Sequence, residues 1–171
     1  MLKLFKRLKP QYLFVGLVSV TYITLFVATN HLQDPLWADE SSFYATSQQF
    51  SQQLIPSFDQ LKNYDELNTP LPFIIYGQIQ YLFNNGVFPG RLLNYILSIT
   101  IIFLIGWPKN DKYRFLSILA SIGFLLYPYF LWFSTRYYTD IIAAFFALLG
   151  IVSYRQKFPI SSCFNFILAI A

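Results

Sequence analysis

Four runs of 17 to 19 residues, almost free of charge, set the limits on this fold: "QYLFVGLVSVTYITLFVA" (11 to 28), "RLLNYILSITIIFLIGW" (91 to 107), "FLSILASIGFLLYPYFLWF" (115 to 133) and "YYTDIIAAFFALLGIVSY" (137 to 154). A bilayer-spanning helix needs about 17 to 25 such residues. The chain as a whole is 56% hydrophobic and only 12% charged, against about 25% charged in an ordinary soluble domain. These features predict an all-α polytopic membrane protein. The lone cysteine, Cys163, excludes an internal disulfide and a cysteine-based metal site.

Two shorter runs need separate treatment. The last, 158 to 171, stops after fourteen residues, so it reads as a partial span and the chain as the N-terminal part of a longer protein. The other, "PLPFIIYGQIQYLF" (70 to 83), carries two glutamines. The positive-inside rule arbitrates, because each added crossing inverts everything downstream. With the basic N-terminus (Lys3, Lys6, Arg7, Lys9) in the cytoplasm and 70 to 83 not crossing, nine basic residues fall inside and three outside (Lys62, Arg91, Arg136). If the segment crosses, the split is six and six. The first arrangement is favoured, and 70 to 83 becomes an interfacial helix with Trp37, Tyr44, Tyr64, Tyr76 and Tyr81 in an outer aromatic belt. The basic residues are thus topology signals rather than a nucleic-acid surface. The first apolar run lacks a cleavage motif and is read as a retained span.

This topology makes residues 30 to 90 a long outer loop holding six of the eight acidic residues: Asp34, Asp39, Glu40, Asp59, Asp65 and Glu66. Asp140, at the head of the fourth run, falls on the same side, while Asp111 lies on the inner turn "KNDKYR". Asp39 is a natural N-cap for a helix over about 39 to 54, with Glu40 favourable to its dipole and Phe43, Phe50 and Leu54 as its apolar stripe. Asp140 lies four residues after Arg136, the spacing of a helical ion pair. A carboxylate at the head of a hydrophobic helix is nevertheless costly unless it meets water or a partner, which favours function. His31 has no second histidine to join it as a ligand and reads as an interfacial polar residue.

The order of these motifs carries a resemblance. "DESSFYATSQQF", "LNTPLP", "RLLN" and "RYYTD" look like the Asp-Glu-x-Phe-His, Thr-Thr-x-Pro, Arg-Phe-x-Asn and Tyr-Tyr-Thr-Asp/Glu elements of the GT-C superfamily, polytopic glycosyltransferases using polyprenyl-phosphate sugars. The pattern is most similar to the dolichyl-phosphate-glucose α-1,2-glucosyltransferases, and more loosely to the aminoarabinose and protein O-mannosyl transferases. An extra serine precedes Phe43-Tyr44, Asn68-Thr69 replaces Thr-Thr, and no lysine stands near Thr69. "Polyprenyl-linked sugar" is therefore the firmer expectation than "glucose".

The resemblance implies a GT-C type N-terminal membrane module that transfers sugar to a lipid-linked or other glycan acceptor on the exoplasmic face of a bacterial cell membrane or the endoplasmic reticulum. Asp39 is then the general base, within reach of the acceptor hydroxyl proton, with Glu40 orienting or assisting it. Asp140 holds the acceptor or, with Asp39, a divalent cation such as Mg²⁺ or Mn²⁺. Arg91 and Arg136 are the outer-side arginines for the leaving phosphate, Tyr137 and Tyr138 offer flat faces to a sugar or prenyl chain, and Thr69 lies at the substrate turn. Two alternatives stand beside it: a transporter segment, which predicts midplane charges and inverted repeats, and a non-catalytic assembly subunit or truncated remnant.

Overall fold

The structure, a computed structural model, describes residues 10–107 and 114–171, the Ala38 side chain excepted. Lys3, Lys6, Arg7, Lys9, Lys109, Asp111 and Lys112, on which much of the charge-based orientation rests, lie outside the described residues. Those described form helices α1 (Pro10–Ala28), α2 (Ala38–Gln49), α3 (Phe58–Lys62), α4 (Pro70–Phe83), α5 (Phe88–Gly106), α6 (Arg114–Leu125), α7 (Pro128–Ser134), α8 (Asp140–Arg155) and α9 (Pro159–Ile170), with no strand among them. Two helices, α1 and α5, are long and apolar enough to cross a membrane, and the bent pair α6–α7 is a third candidate.

Helix α1 is apolar on every side, so burial alone selects its inner face. Phe14, Val18 and Tyr22, four residues apart, are buried, as one stripe of a 3.6-residue period requires. The opposite flank exposes Leu13, Val20, Ile23 and Val27, a surface suited to hydrocarbon. Against the stripe lies α5, with Phe14 edge-on to Phe103 at 5.6 Å and Tyr22 edge-on to Tyr95 at 5.2 Å. Moving up α1 corresponds to moving down α5, so the two helices are antiparallel. Gly106 permits their approach: a Cβ there would stand 2.3 Å from Phe14 Cζ and 2.6 Å from the Ser121 hydroxyl of α6.

That antiparallel pairing fixes the long connection. The end of α1 and the start of α5 lie at one end of the bundle, so the segment between them leaves and returns on the same side. Helix α4, about 21 Å long at 1.5 Å per residue, is shorter than a hydrocarbon core of about 30 Å and is not among the described helices long and apolar enough to cross a membrane. It packs on α2 instead, where Gly77 lets the chains touch; a Cβ on it would meet Phe50 Cβ at 2.6 Å and the Ser47 carbonyl at 2.8 Å. At its other end Leu71 N–H donates to the Ala171 carbonyl at the end of α9, 3.2 Å away.

Four expected elements differ in extent from the structure. The run 115 to 133 is broken into α6 and α7, inclined by 73°, because Pro128 has no N–H for the ladder and drives Tyr127 to an extended conformation (φ −86°, ψ 106°). The outer helix expected over 39 to 54 ends at Gln49: Phe50 turns inward, fully buried against Tyr64, and Leu54 is exposed. Residues 137 to 154 and 158 to 171 yield helices of 16 and 12 residues, about 24 and 18 Å long. These two form a hairpin in which Phe166 lies on Gly150 and Ser162 Oγ donates to the Gly150 carbonyl at 2.8 Å.

Candidate functional site

After α1 the chain makes an unusual turn. Asn30, His31 and Leu32 take φ of 47°, 56° and 65°, the left-handed region, which costs a residue with a Cβ roughly 1–2 kcal/mol. Leu32, with a branched side chain, is fully buried there. The turn directs carbonyls at Arg91, whose Nη1 donates to Leu32 O at 3.0 Å and Asp34 O at 2.6 Å, while Nη2 reaches Pro35 O at 3.4 Å. The remaining guanidinium edge grips Glu40 in a two-point pair: Nε to Oε1 at 3.0 Å and Nη2 to Oε2 at 2.8 Å. Both side chains are completely buried. Glu40 is satisfied further by backbone N–H donors from Trp37 at 3.1 Å and Tyr137 at 2.6 Å.

The second of those donors ties in the loop 135–139, which precedes α8. Asn94, one turn along α5 from Arg91, donates from Nδ2 to the carbonyls of Arg136 and Tyr138, both at 2.8 Å. Its Oδ1 accepts from Tyr76 of α4 at 2.8 Å. The Tyr137 ring lies over Tyr76, centroids 4.1 Å apart, above Gly90, and its hydroxyl shares a 2.7 Å hydrogen bond with Ser47 of α2. Three helices, α2, α4 and α5, therefore fix one short loop. Burial pushes the Tyr76 and Tyr137 hydroxyls well above the ordinary phenol range.

Because the loop is anchored beside the start of α5, Asp140 stands at the same end of the bundle as Asp39. Tyr138, half-buried, feels both charges: burial raises its pKa first, the charges of Asp39, Glu40 and Asp140 add to the rise, and Arg136 opposes it. Asp39 and Asp140 are both exposed and, among the described residues, make no hydrogen bond or ion pair. Beside Asp140 opens a groove of about 410 Å³, lined chiefly by Phe124, Tyr127, Tyr129, Phe130 and Phe133.

The geometry revises several expected roles. Asp39 does not cap α2; Trp37 occupies that position and Asp39 lies in the first turn. Glu40, with no exposed atom and both oxygens engaged, positions the chain and does not reach a ligand. Arg91 is likewise buried and fully committed, so it is unable to meet a phosphate. Tyr137 is 1% exposed and presents no face to a sugar, whereas Tyr138 retains one. Arg136 does not pair with Asp140, because it belongs to the loop and not to the helix; its Nη2 donates to Asp34 Oδ2 at 3.1 Å and its Nη1 lies 3.7 Å from Glu40 Oε2. Its guanidinium packs over Trp132 at 4.6 Å, and Nε and Nη1 lack hydrogen-bond partners. Thr69 sits exposed at the start of α4 and makes no capping bond. His31 contacts the Phe26 ring edge-on at 5.0 Å.

No three His, Cys, Asp or Glu side chains among the described residues are grouped to hold a metal, so Asp39 and Asp140 lack the further carboxylate or imidazole ligand that a protein-built cation site would use. From sequence, Asp34 and Tyr76 read only as a loop carboxylate and a belt aromatic, and neither Asn94 nor Ser47 takes a role of its own. Of these only Asn94 left a signal, since "RLLN" puts it on the face of Arg91. No protein-family profile matches this chain, and neither does any curated protein or solved structure.

Proposed function

We propose that the chain carries the exoplasmic catalytic face of a membrane glycosyltransferase that moves a sugar from a polyprenyl-phosphate donor to a lipid-linked or other glycan acceptor. The observation that carries this reading is the pairing of one locked and one free carboxylate at the head of α2: Glu40 is spent on Arg91, and its neighbour Asp39 is exposed and uncommitted. A general base must be placed rigidly and yet retain a lone pair for the incoming proton. The motif order described above supports the same assignment.

In the transfer, the acceptor hydroxyl oxygen bonds to the sugar's anomeric carbon as the bond from that carbon to the phosphate oxygen breaks. The electron pair leaves with the phosphate, and the hydroxyl proton passes to Asp39. Asp140 holds acceptor hydroxyls. Arg136 is the cation that the motif order assigns to the departing phosphate; its guanidinium is buried over Trp132, with Nε and Nη1 unpaired inside, so it acts through its charge and not by a hydrogen bond. Asp39→Asn in the protein in its own membrane is expected to lower transfer from a polyprenyl-phosphate sugar by about 10²–10⁴-fold, the usual worth of a positioned base, with insertion unchanged. Undiminished turnover rejects Asp39 as the base.

A non-catalytic assembly subunit is the second reading, favoured by how much of the polar cluster serves the loop itself. It predicts that Asp39→Asn changes no turnover while Asn94→Ala, which frees the loop, abolishes association with the other subunit.

A further inference from the structure

The aromatic groove beside Asp140 has a chemistry that sugar transfer does not use. It forms where Pro128 breaks the α6–α7 helix, so the bend turns ring faces and edges into a shared hollow: Phe124 lies edge-on to Phe130 at 5.4 Å, and Tyr127, Tyr129 and Phe133 complete the walls. Asp140 is the only charged residue in the lining. Its nearest cation in sequence, Arg136, is turned away under Trp132 toward Asp34. A carboxylate without an ion-pair partner, set among π faces, attracts an organic cation twice, through its own charge and through the ring quadrupoles. The same features repel a phosphate or carboxylate. Asp39, exposed and unpaired, is a second free carboxylate at this end of the bundle, whereas Glu40 is neutralised by Arg91.

The rim identifies the source of the cation. Leu126, Tyr127 and Tyr129 are exposed at the break in a helix pair otherwise apolar enough to span, so the groove opens onto a surface suited to acyl chains. We infer that this groove binds a membrane lipid whose headgroup ends in an ammonium, with the nitrogen against Asp140 and the rings, and the chains over Leu126. Both readings place a ligand at Asp140, but occupancy is read here without turnover, so loss of lipid preference and loss of transfer are separate outcomes.

The test is retention of lipid by the purified protein in native mass spectrometry, offered equal amounts of phosphatidylethanolamine, phosphatidylcholine and phosphatidylglycerol of matched chains. Ammonium lipids are expected to be retained about tenfold over phosphatidylglycerol, the scale of one desolvated cation–π and carboxylate contact. Asp140→Asn and the pair Tyr127→Leu with Phe133→Leu should each bring the ratio close to one, and Asp140→Glu should keep it. Circular dichroism confirms the fold of each variant. Equal retention of all three lipids by the unaltered protein overturns the inference, as does a preference that survives Asp140→Asn. Loss of thermal stability in Asp140→Asn with the preference intact would assign Asp140 to the α8 helix dipole instead. Tetramethylammonium displacing the lipid at equal concentration would show that the chains contribute nothing, overturning the lipid assignment.

Discussion

Removing the Arg91 side chain should do more damage than any other single truncation at this end of the bundle. Arg91→Met takes away both bonds to Glu40 and the donors to Leu32, Asp34 and Pro35. It leaves a carboxylate with no exposed surface, held by two backbone N–H groups and by Arg136 at 3.7 Å. Breaking one half of a buried pair typically costs about 3–5 kcal/mol, and the left-handed turn at 30–32 loses the partner that offsets its strain. Glu40→Gln is gentler, about 1–3 kcal/mol, because Arg91 keeps its three carbonyls. The double variant should cost less than the two singles together by at least about 1.5 kcal/mol, within the usual coupling of residues in direct contact. Equilibrium unfolding in mixed detergent micelles, followed by far-UV circular dichroism, supplies all four corners of the cycle. Single costs that add to within about 0.5 kcal/mol, or an Arg91→Met cost below about 1 kcal/mol, would refute the picture of a shared, load-carrying pair.

Two further expectations concern packing and pH. Gly77→Ala forces a methyl into the Phe50 and Ser47 backbone and should destabilise by about 1–3 kcal/mol, whereas Gly16→Ala, with nothing within 4 Å, should be neutral or stabilising by up to about 1 kcal/mol; equal melting temperatures for the two variants would contradict this. Burial, then the charges of Glu66 and Asp65, raise the Tyr64 pKa from 10.0 to about 12. The unfolded chain releases this proton first, so the contribution is complete below pH 10.0 and is lost as pH rises to about 12. Tyr76, Tyr137 and Tyr138 shift in the same direction. Melting temperature should fall across that alkaline window, less steeply in Tyr64→Phe, and a flat profile would contradict the assignment.

Much of this arrangement was legible because the lengths of the apolar runs and the places of the acidic groups between them can be read along the chain. The all-helical character, the apolar helices α1 and α5, and the meeting of the Asp-Glu segment with the Tyr-Tyr-Thr-Asp corner at one end of the bundle all follow from them. Partner choice was not legible. Arg136 reaches Asp34 across 102 positions and ignores Asp140 four positions away, an outcome decided by where α7 ends and not by any local spacing. The left-handed turn through Leu32 leaves no trace in sequence, since leucine has no preference for that region and is held there by Arg91. Tyr137 disappears into the hollow over Gly90 for a similar reason: a missing Cβ on one helix makes room for a ring from a loop 47 residues later. Pro128 did announce the α6–α7 break, but an uninterrupted apolar run outweighed it.

The proposed function requires that Asp39 and Asp140 share one aqueous face, opposite the cytoplasm. Single cysteines placed at positions 39 and 140, with Cys163 replaced by serine, can be probed with a membrane-impermeant maleimide in sealed vesicles of known orientation. Both positions should label from the exoplasmic side before permeabilisation. Labelling of the two from opposite sides would contradict the claim, and so would labelling of both from the cytoplasmic side.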